Sequence, residues 1–241
     1  MKIGVITDIH NNVVALEAML NLFEKNGCNE IICCGDIIGI GPYPEETIQR
    51  VKSLHNINCV LGNHDKYLVG GLSSPYPDGM EEGEVKHHLW EHEILSDSSK
   101  KFIHQLEYKL ELVREGLKIL VIHYSMNNNH DCVNYTPNPS LNDCNKMFDE
   151  YDADIIVYGH NHMSSFVQGK EKMYINCGSL GCPHKFAGEA KGGIITIVDG
   201  KAEFELLIAN YDINQVLRKI DSIQYSDFEF IKHTFYGVEK T

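Results

Sequence analysis

Short apolar runs alternate with amphipathic stretches along the chain. Lys2 to Ile6 has the length and apolar content of a strand. Asn11 to Lys25 then places Val14, Leu16, Met19, Leu20 and Phe23 at the spacing of one helix face, and Asn26-Gly27 closes that helix. Glu30 to Cys34 reads as a second strand, stopped at Gly35-Asp36. A Gly/Pro-rich loop, Gly39 to Pro44, leads to a helix from Glu45 to Leu54, and Cys59-Val60-Leu61 is a third strand stopped at Gly62-Asn63. This β-α-β-α-β order predicts parallel strands joined by helical crossovers.

The rhythm breaks between Gly70 and Leu110. Turn residues there precede two helical stretches, Glu81–Leu95 and Asp97–Leu106, which read as a helical cap inserted at about residues 70–110. Leu112-Val113, Arg114-Glu115-Gly116 and Leu117–Ile122 form a hairpin pattern ending at His123. Tyr124 to Ser140 is Asn/Pro-rich and reads as a loop, Leu141–Tyr151 as a helix, and Asp154–Tyr158 as a strand. Strands Ser165–Val167, Met173–Asn176, Gly193–Val198 and Ala202–Leu207 follow, then a helix over Asp212–Ile220. Helices flanking two sheets, the second more antiparallel, predict a layered α/β sandwich in a single domain spanning residues 1–241.

Composition narrows the function. Lys+Arg number 21 against 34 Asp+Glu, a formal net charge of −13 with no basic run, which disfavours extended nucleic-acid binding. An acidic chain still accepts phosphate substrates where bound metals supply positive charge. No apolar run approaches the ~20 residues of a membrane span. Met1-Lys2-Ile3-Gly4-Val5-Ile6 reads as a strand rather than a signal peptide. The eight cysteines contain no CxxC pair, and several sit inside apolar runs as buried thiols do, which points to a reducing, cytoplasmic setting.

The chemistry lies where the apolar runs stop. Asp8 and His10 follow the first strand, Asp36 the second and Asn63-His64-Asp65 the third, while His123 follows the hairpin and His160 and His162 follow Tyr158. Residues two apart in extended chain face the same side, so Asp8/His10 and His160/His162 can each converge. Strand ends are where open α/β sheets gather ligands. Two divalent cations need a mixed oxygen and nitrogen shell with a bridging carboxylate. Asp8, His10, Asp36, Asn63, His123, His160 and His162 supply that shell, with Asp36 as the natural bridge. His64, beside Asn63, is placed to protonate a departing oxygen, and Asp65 to orient it or cap the next turn. Metal identity is open among Mn, Fe and Zn, as two divalent or mixed-valence ions.

Other histidines are less committed. His88 and His92 stand four apart on a helical stretch, but with no third ligand assigned to them they read as a solvated cap face. Trp90 between them is a ring that could stack on a substrate base. His130 and His184 are left unassigned, and Ser179 reads as a turn residue, since no G-x-S-x-G elbow surrounds it.

In order and spacing, D-x-H, GD, GN-H-D, H and G-H-x-H resemble the calcineurin-like metallophosphoesterase superfamily from Ile3 to His162, and more weakly through Asn176 to Gly181. The resemblance implies a four-layer αββα sandwich with a dinuclear centre. It implies Asp8, His10 and His162 on one metal, Asn63, His123 and His160 on the other, and Asp36 between. Gly35 to Pro44 is similar to the small bacterial phosphoesterases related to diadenosine tetraphosphatases. Protein phosphatases of the superfamily carry GDxxDRG, whose second Asp pairs with the catalytic His; Gly39 stands there in this chain. Cys177 stands where the family usually has Pro after Asn176. The expected activity is hydrolysis of small phosphodiesters or phosphoanhydrides by a metal-bridging hydroxide, with dinucleoside polyphosphates as the leading specific substrate. Alternatives are a phosphomonoesterase or cyclic-nucleotide phosphodiesterase on the same centre, or a non-catalytic scaffold. The implied partner is a small phosphorylated molecule, nucleotides included; oligomeric state is not readable.

Overall fold

The computed structural model describes residues 1–72, 74–77, 80–182 and 188–239. Two five-stranded mixed sheets face each other. In the first, β1 (Lys2–Ile6) runs parallel to β2 (Glu30–Cys33) and β2 to β3 (Ile57–Cys59), while β9 (Glu189–Val198) and β10 (Lys201–Asn210) add antiparallel strands beyond β1. In the second, β5 (Leu117–Ile122), β6 (Ile155–Tyr158) and β8 (Met173–Asn176) are parallel, edged by antiparallel β4 (Lys109–Arg114) and β7 (Ser165–Gln168).

Strand alternation sorts the apolar side chains into layers. Ile3, Val5, Ile32, Val121, Ile155, Val157 and Ile175 point between the sheets and make one core. The intervening residues turn outward. Ile6, Ile31 and Cys33 pack under α1 (Val13–Asn26) and α2 (Pro44–Lys52), while Leu120, Ile156 and Tyr158 pack under α6 (Leu141–Met147) with Phe148. Two buried faces explain why these strands read as unbroken apolar runs, and they make the four layers αββα.

Local signals set the boundaries. The Asn12 side chain accepts from the Ala15 N–H at 3.0 Å, and Gly27 at φ 71° ends α1. Glu115 and Gly116, both at positive φ, turn the β4–β5 hairpin. Helix α3 (Asn63–Gly70), which the sequence did not suggest, begins at Asn63 itself. In the insertion, α4 (Glu82–Ile94) and α5 (Asp97–His104) join existing cores: Trp90 packs with Ile40 and Tyr225, while Ile103, and Leu95 between the helices, pack in the same cluster as Ile6 and Leu16. After α7 (Ile213–Ile223), the chain makes a further helix, α8 (Phe228–Tyr236), where the sequence suggested no element. Among the described residues, no helix is long and apolar enough to cross a membrane.

Candidate metal centre

The carboxyl ends of β1, β2 and β3 meet those of β5 and β6 at one edge of the sandwich, and all seven proposed ligands gather there. They form two overlapping groups. In one, His10 Nε2 lies 2.9 Å from His162 Nε2, and Asp8 Oδ1 lies 3.8 Å and 3.5 Å from those two nitrogens. In the other, Asn63 Oδ1 lies 3.0 Å from His123 Nε2 and 2.9 Å from His160 Nδ1. Asp36 Oδ2 stands between them, 3.8 Å from His10 Nε2 and 3.3 Å from His123 Nε2. The grouping is the one the family resemblance implied.

The pairs do not converge by strand alternation, which corrects the sequence expectation. Both lie beyond their strands, in turns where Asp8 (φ 53°), His10 (46°), His160 (72°) and His162 (53°) adopt left-handed backbone, as does Asp36 (52°). Such residues cost of order 1–3 kcal/mol each and persist where surrounding bonds fix them. Here Asp8 N–H donates to Gly35 O and His10 N–H to Asp36 O, each at 3.0 Å, and Asn176 Nδ2 donates to Gly159 O at 2.8 Å. Ser179 Oγ donates to Asp8 O at 2.9 Å, the turn role read from sequence. Cys177, where the family usually has Pro, fills the core between the sheets.

The donor set fits cations. His10 Nδ1 lies 3.1 Å from Ile38 O and His123 Nδ1 2.7 Å from Cys34 O, so each ring donates there and turns a bare Nε2 lone pair inward. As a neutral ring, His123 would set its Nε2 lone pair against Asn63 Oδ1 and Asp36 Oδ2, acceptor against acceptor, a conflict that either a cation or a proton on Nε2 resolves. Ligand atoms about 2.1 Å from a common ion stand about 3 Å apart, the spacing seen here. Burial raises the Asp8 carboxyl. It would lower His123, but the charges of Asp36 and Asp8 override it and push that imidazole up to about 10. Burial likewise opposes ionisation of Asp36, yet His123 and His64 hold its carboxyl well below the usual range. Two buried carboxylates thus draw positive charge to this spot.

His64 starts α3 beside the centre, its ring centroid 5.0 Å from that of His10, and its backbone N–H donates to Asp36 Oδ1 at 2.8 Å. Burial holds its imidazole well below its usual range. Asp65 does not touch the His64 ring; its carboxylate accepts from the N–H groups of Gly62, Ile37 and Ile38, the capping role. Gly62 is required here, because a Cβ would collide with the carboxylate and backbone N of Asp36.

One expectation for the insertion, a solvated face at His88, is corrected. His88 is wholly buried, not solvated: Nε2 lies 3.2 Å from His64 Nδ1, and Nδ1 lies 3.4 Å from Oε2 of buried Glu91. The carboxylates that sequence reasoning failed to assign are Glu91 and Glu84, one helical turn either side. His92 is half-buried beside His88, ring centroids 5.8 Å apart. Trp90 points away from the centre and stacks on Tyr225 at 5.0 Å, so it holds α4 to the C-terminal segment rather than a substrate base. His130 is exposed and stacks on Tyr108 at 3.8 Å. His184 lies outside the described residues.

Two clefts reach the centre. One, about 710 Å³, meets it at Asn63 and His160 and is lined by Lys66, Tyr67, Tyr76 and His130. The other, about 390 Å³, meets it at His64 and His162 and is lined by Ile40, Phe230 and Phe235 with Glu81, Glu84 and Asp227.

This sandwich, with two groups of donors sharing one carboxylate, defines a dinuclear metallohydrolase. The chain belongs to the calcineurin-like phosphoesterase superfamily, whose domain matches residues 1–200, and is a metal-dependent phosphoester hydrolase. It is 30% identical over 240 residues to an uncharacterised protein of Methanocaldococcus jannaschii, covering 90% of this chain and 91% of that one. A crystal structure of a Sphaerobacter thermophilus metallophosphoesterase superposes with TM-score 0.78 at 22% identity, covering 99% of both chains. A symmetrical bis(5'-nucleosyl)-tetraphosphatase of Psychromonas ingrahamii is 40% identical over 72 residues, which is 29% of this chain and 26% of that one.

Proposed function

We propose that the chain hydrolyses small phosphodiesters or phosphoanhydrides, with the scissile phosphate at the centre and one substituent in each cleft. The observation that carries this reading is that two clefts meet one donor set at different residues, one at Asn63 and His160 and the other at His64 and His162. A monoester has one substituent and would leave one cleft unused. Lys66 and His130 suit an anionic substituent, and Tyr67 and Tyr76 an aromatic one. Phe230 and Phe235 suit an apolar or planar group, whereas Glu81, Glu84 and Asp227 would repel further phosphates on that side.

Asp8, His10 and His162 would hold one cation and Asn63, His123 and His160 the second, with Asp36 between. Four imidazoles, one amide and two carboxylates suit Mn, Fe or Zn better than Ca or Mg. Such a cation pair supplies an ionised water at neutral pH and neutralises phosphate charge. His64 protonates the departing oxygen, and the hydrogen bond from its backbone to Asp36 fixes its distance from the centre. The eight cysteines are all free thiols, which supports a reducing, cytoplasmic setting.

A second reading, a dinucleoside polyphosphate as substrate, has the 72-residue match to a tetraphosphatase in its favour. Turnover of bis-p-nitrophenyl phosphate, p-nitrophenyl phosphate and diadenosine tetraphosphate by Mn²⁺-loaded protein tests both. The diester should exceed the monoester. Faster monoester turnover would overturn the two-cleft reading, and fast tetraphosphate turnover would establish the second.

A further inference from the structure

His64 stands in an arrangement that its neighbours in sequence do not supply. Among the described residues, the hydrogen-bond partner of its Nδ1 is Nε2 of His88, 24 residues on, at 3.2 Å. His88 is carried by α4 and is wholly buried. Its other nitrogen faces Glu91 Oε2 at 3.4 Å, and Glu84 Oε1 lies 3.9 Å from Nε2. Glu91 is itself fixed: Oε1 accepts from the Gly39 N–H at 2.8 Å and from the Asn11 side chain. A buried carboxylate thus ties α4 to the loops that carry His10 and Asp36.

Gly39 leaves no room for a side chain beside His64. A Cβ there would lie 2.6 Å from His64 Nδ1, at a backbone φ of 90° that side chains rarely adopt. No residue with a side chain fits at 39 while His64 keeps this pose, so the partner of Nδ1 has to come from elsewhere. The insertion supplies it. Although burial opposes a charge on His88, Glu84 and Glu91 override it and push the imidazole up to about 9, which favours the form with a proton on each nitrogen.

We propose that Glu91, His88 and His64 form a proton relay to the leaving group, in which α4 supplies the proton that His64 passes on. In the resting state His88 donates its Nε2–H to His64 Nδ1, which fixes the His64 proton on Nε2. As the bond from phosphorus to the departing oxygen breaks, that oxygen takes the Nε2 proton of His64. His64 takes the Nε2 proton of His88 on Nδ1, and His88 is left neutral beside Glu91. Solvent in the cleft that His64 lines returns one proton to His64 Nε2, and the Nδ1 proton passes back to His88 Nε2, which restores the resting state. His88 and Glu91 are positioning and relay residues; they act on the reacting atoms through His64. The relay rests on the phosphoester-hydrolysis reading above.

The test compares wild type, His88→Ala and His88→Gln on methyl phenyl phosphate and methyl p-nitrophenyl phosphate, which share the transferred group and differ in the leaving oxygen's need for a proton. A general acid contributes roughly 100-fold or more. His88→Ala should lower kcat on the phenyl ester by about that factor and far less on the p-nitrophenyl ester, with KM little changed. Added imidazole should restore part of the phenyl-ester rate, and His88→Gln, which can still donate to Nδ1, should fall between. Ring-nitrogen NMR of zinc-loaded, ¹⁵N-histidine protein reads the same bond without turnover. His64 should be a single Nε2–H tautomer in wild type and a mixture in His88→Ala. Equal losses on both esters with an unchanged His64 spectrum would overturn the relay. Absence of turnover in metal-loaded wild type would overturn the functional reading, while the spectrum would still decide the bond.

Discussion

Asp36 divides its two oxygens between tasks: Oδ1 accepts the His64 backbone N–H and Oδ2 stands between the two donor groups. Asp36→Asn keeps the size and loses the charge. It should reduce bound metal below two equivalents by elemental analysis and lower turnover on the order of a thousandfold. Full metal content with full turnover would refute the bridging role. Gly39 is a second such residue. Gly39→Ala forces a side chain into positive φ and against the His64 ring. Denaturant unfolding should show a loss of about 1–3 kcal/mol, and turnover should fall even with both metals bound, because the ring that must move is His64.

Helix α4 carries a buried charge pair, and this gives the element its own pH dependence. Although burial would raise Glu91, contact with His88 and the neighbouring histidines lowers it to about 2, so its contribution to stability is complete above the ordinary value of 4.5 and is lost as pH falls toward 2. His88 is raised to about 9, so its contribution is complete below 6.5 and is lost as pH rises through 9. The two windows overlap between about pH 4.5 and 6.5. The difference in melting temperature between wild type and Glu91→Gln should be greatest there and shrink on either side. A difference independent of pH would mean that the pair is not charged. Trp90 anchors the same helix on Tyr225, so the C-terminal segment and the insertion support one another.

At the scale of the molecule, the centre joins the two sheets: Asp8, His10, Asp36 and Asn63 follow strands of one, and His123, His160 and His162 follow strands of the other. Cations held there would cross-link the sandwich at one edge. Binding at a hundredfold excess over Kd stabilises by about 2.7 kcal/mol per site, and 1 kcal/mol shifts the midpoint of a chain this size by about 2–4 °C. Chelation should therefore lower the melting temperature by roughly 10 °C or more, and added Mn²⁺ should restore it. An unchanged midpoint, with metal removal confirmed, would mean that the folded centre gains nothing from cations.

The layers and the seven donors were legible in the sequence because both depend on local rules. Strands buried on two faces must be apolar throughout, and an Asp, Asn or His directly after such a run has to emerge at the strand's end. The resemblance to the superfamily implied the same two spatial groups that the side chains form in the folded chain. What the sequence could not decide was contact between distant segments. The left-handed turns that aim Asp8, His10, His160 and His162 are held by hydrogen bonds to other strand ends, so strand alternation was the wrong reason for their convergence. Helix α4 has little apolar periodicity, and its histidines therefore read as solvated. Only the folded chain brings Glu91 to Gly39 and His88 to His64. Helix α8 was missed for a related reason: its aromatic residues pack on Ile40, Tyr43 and Trp90, partners at least 138 positions earlier in the chain. Local pattern determines which residues must be buried or exposed at a strand end; tertiary packing determines which buried charge meets which imidazole, because that meeting is between elements whose order in the chain says nothing of their distance in space.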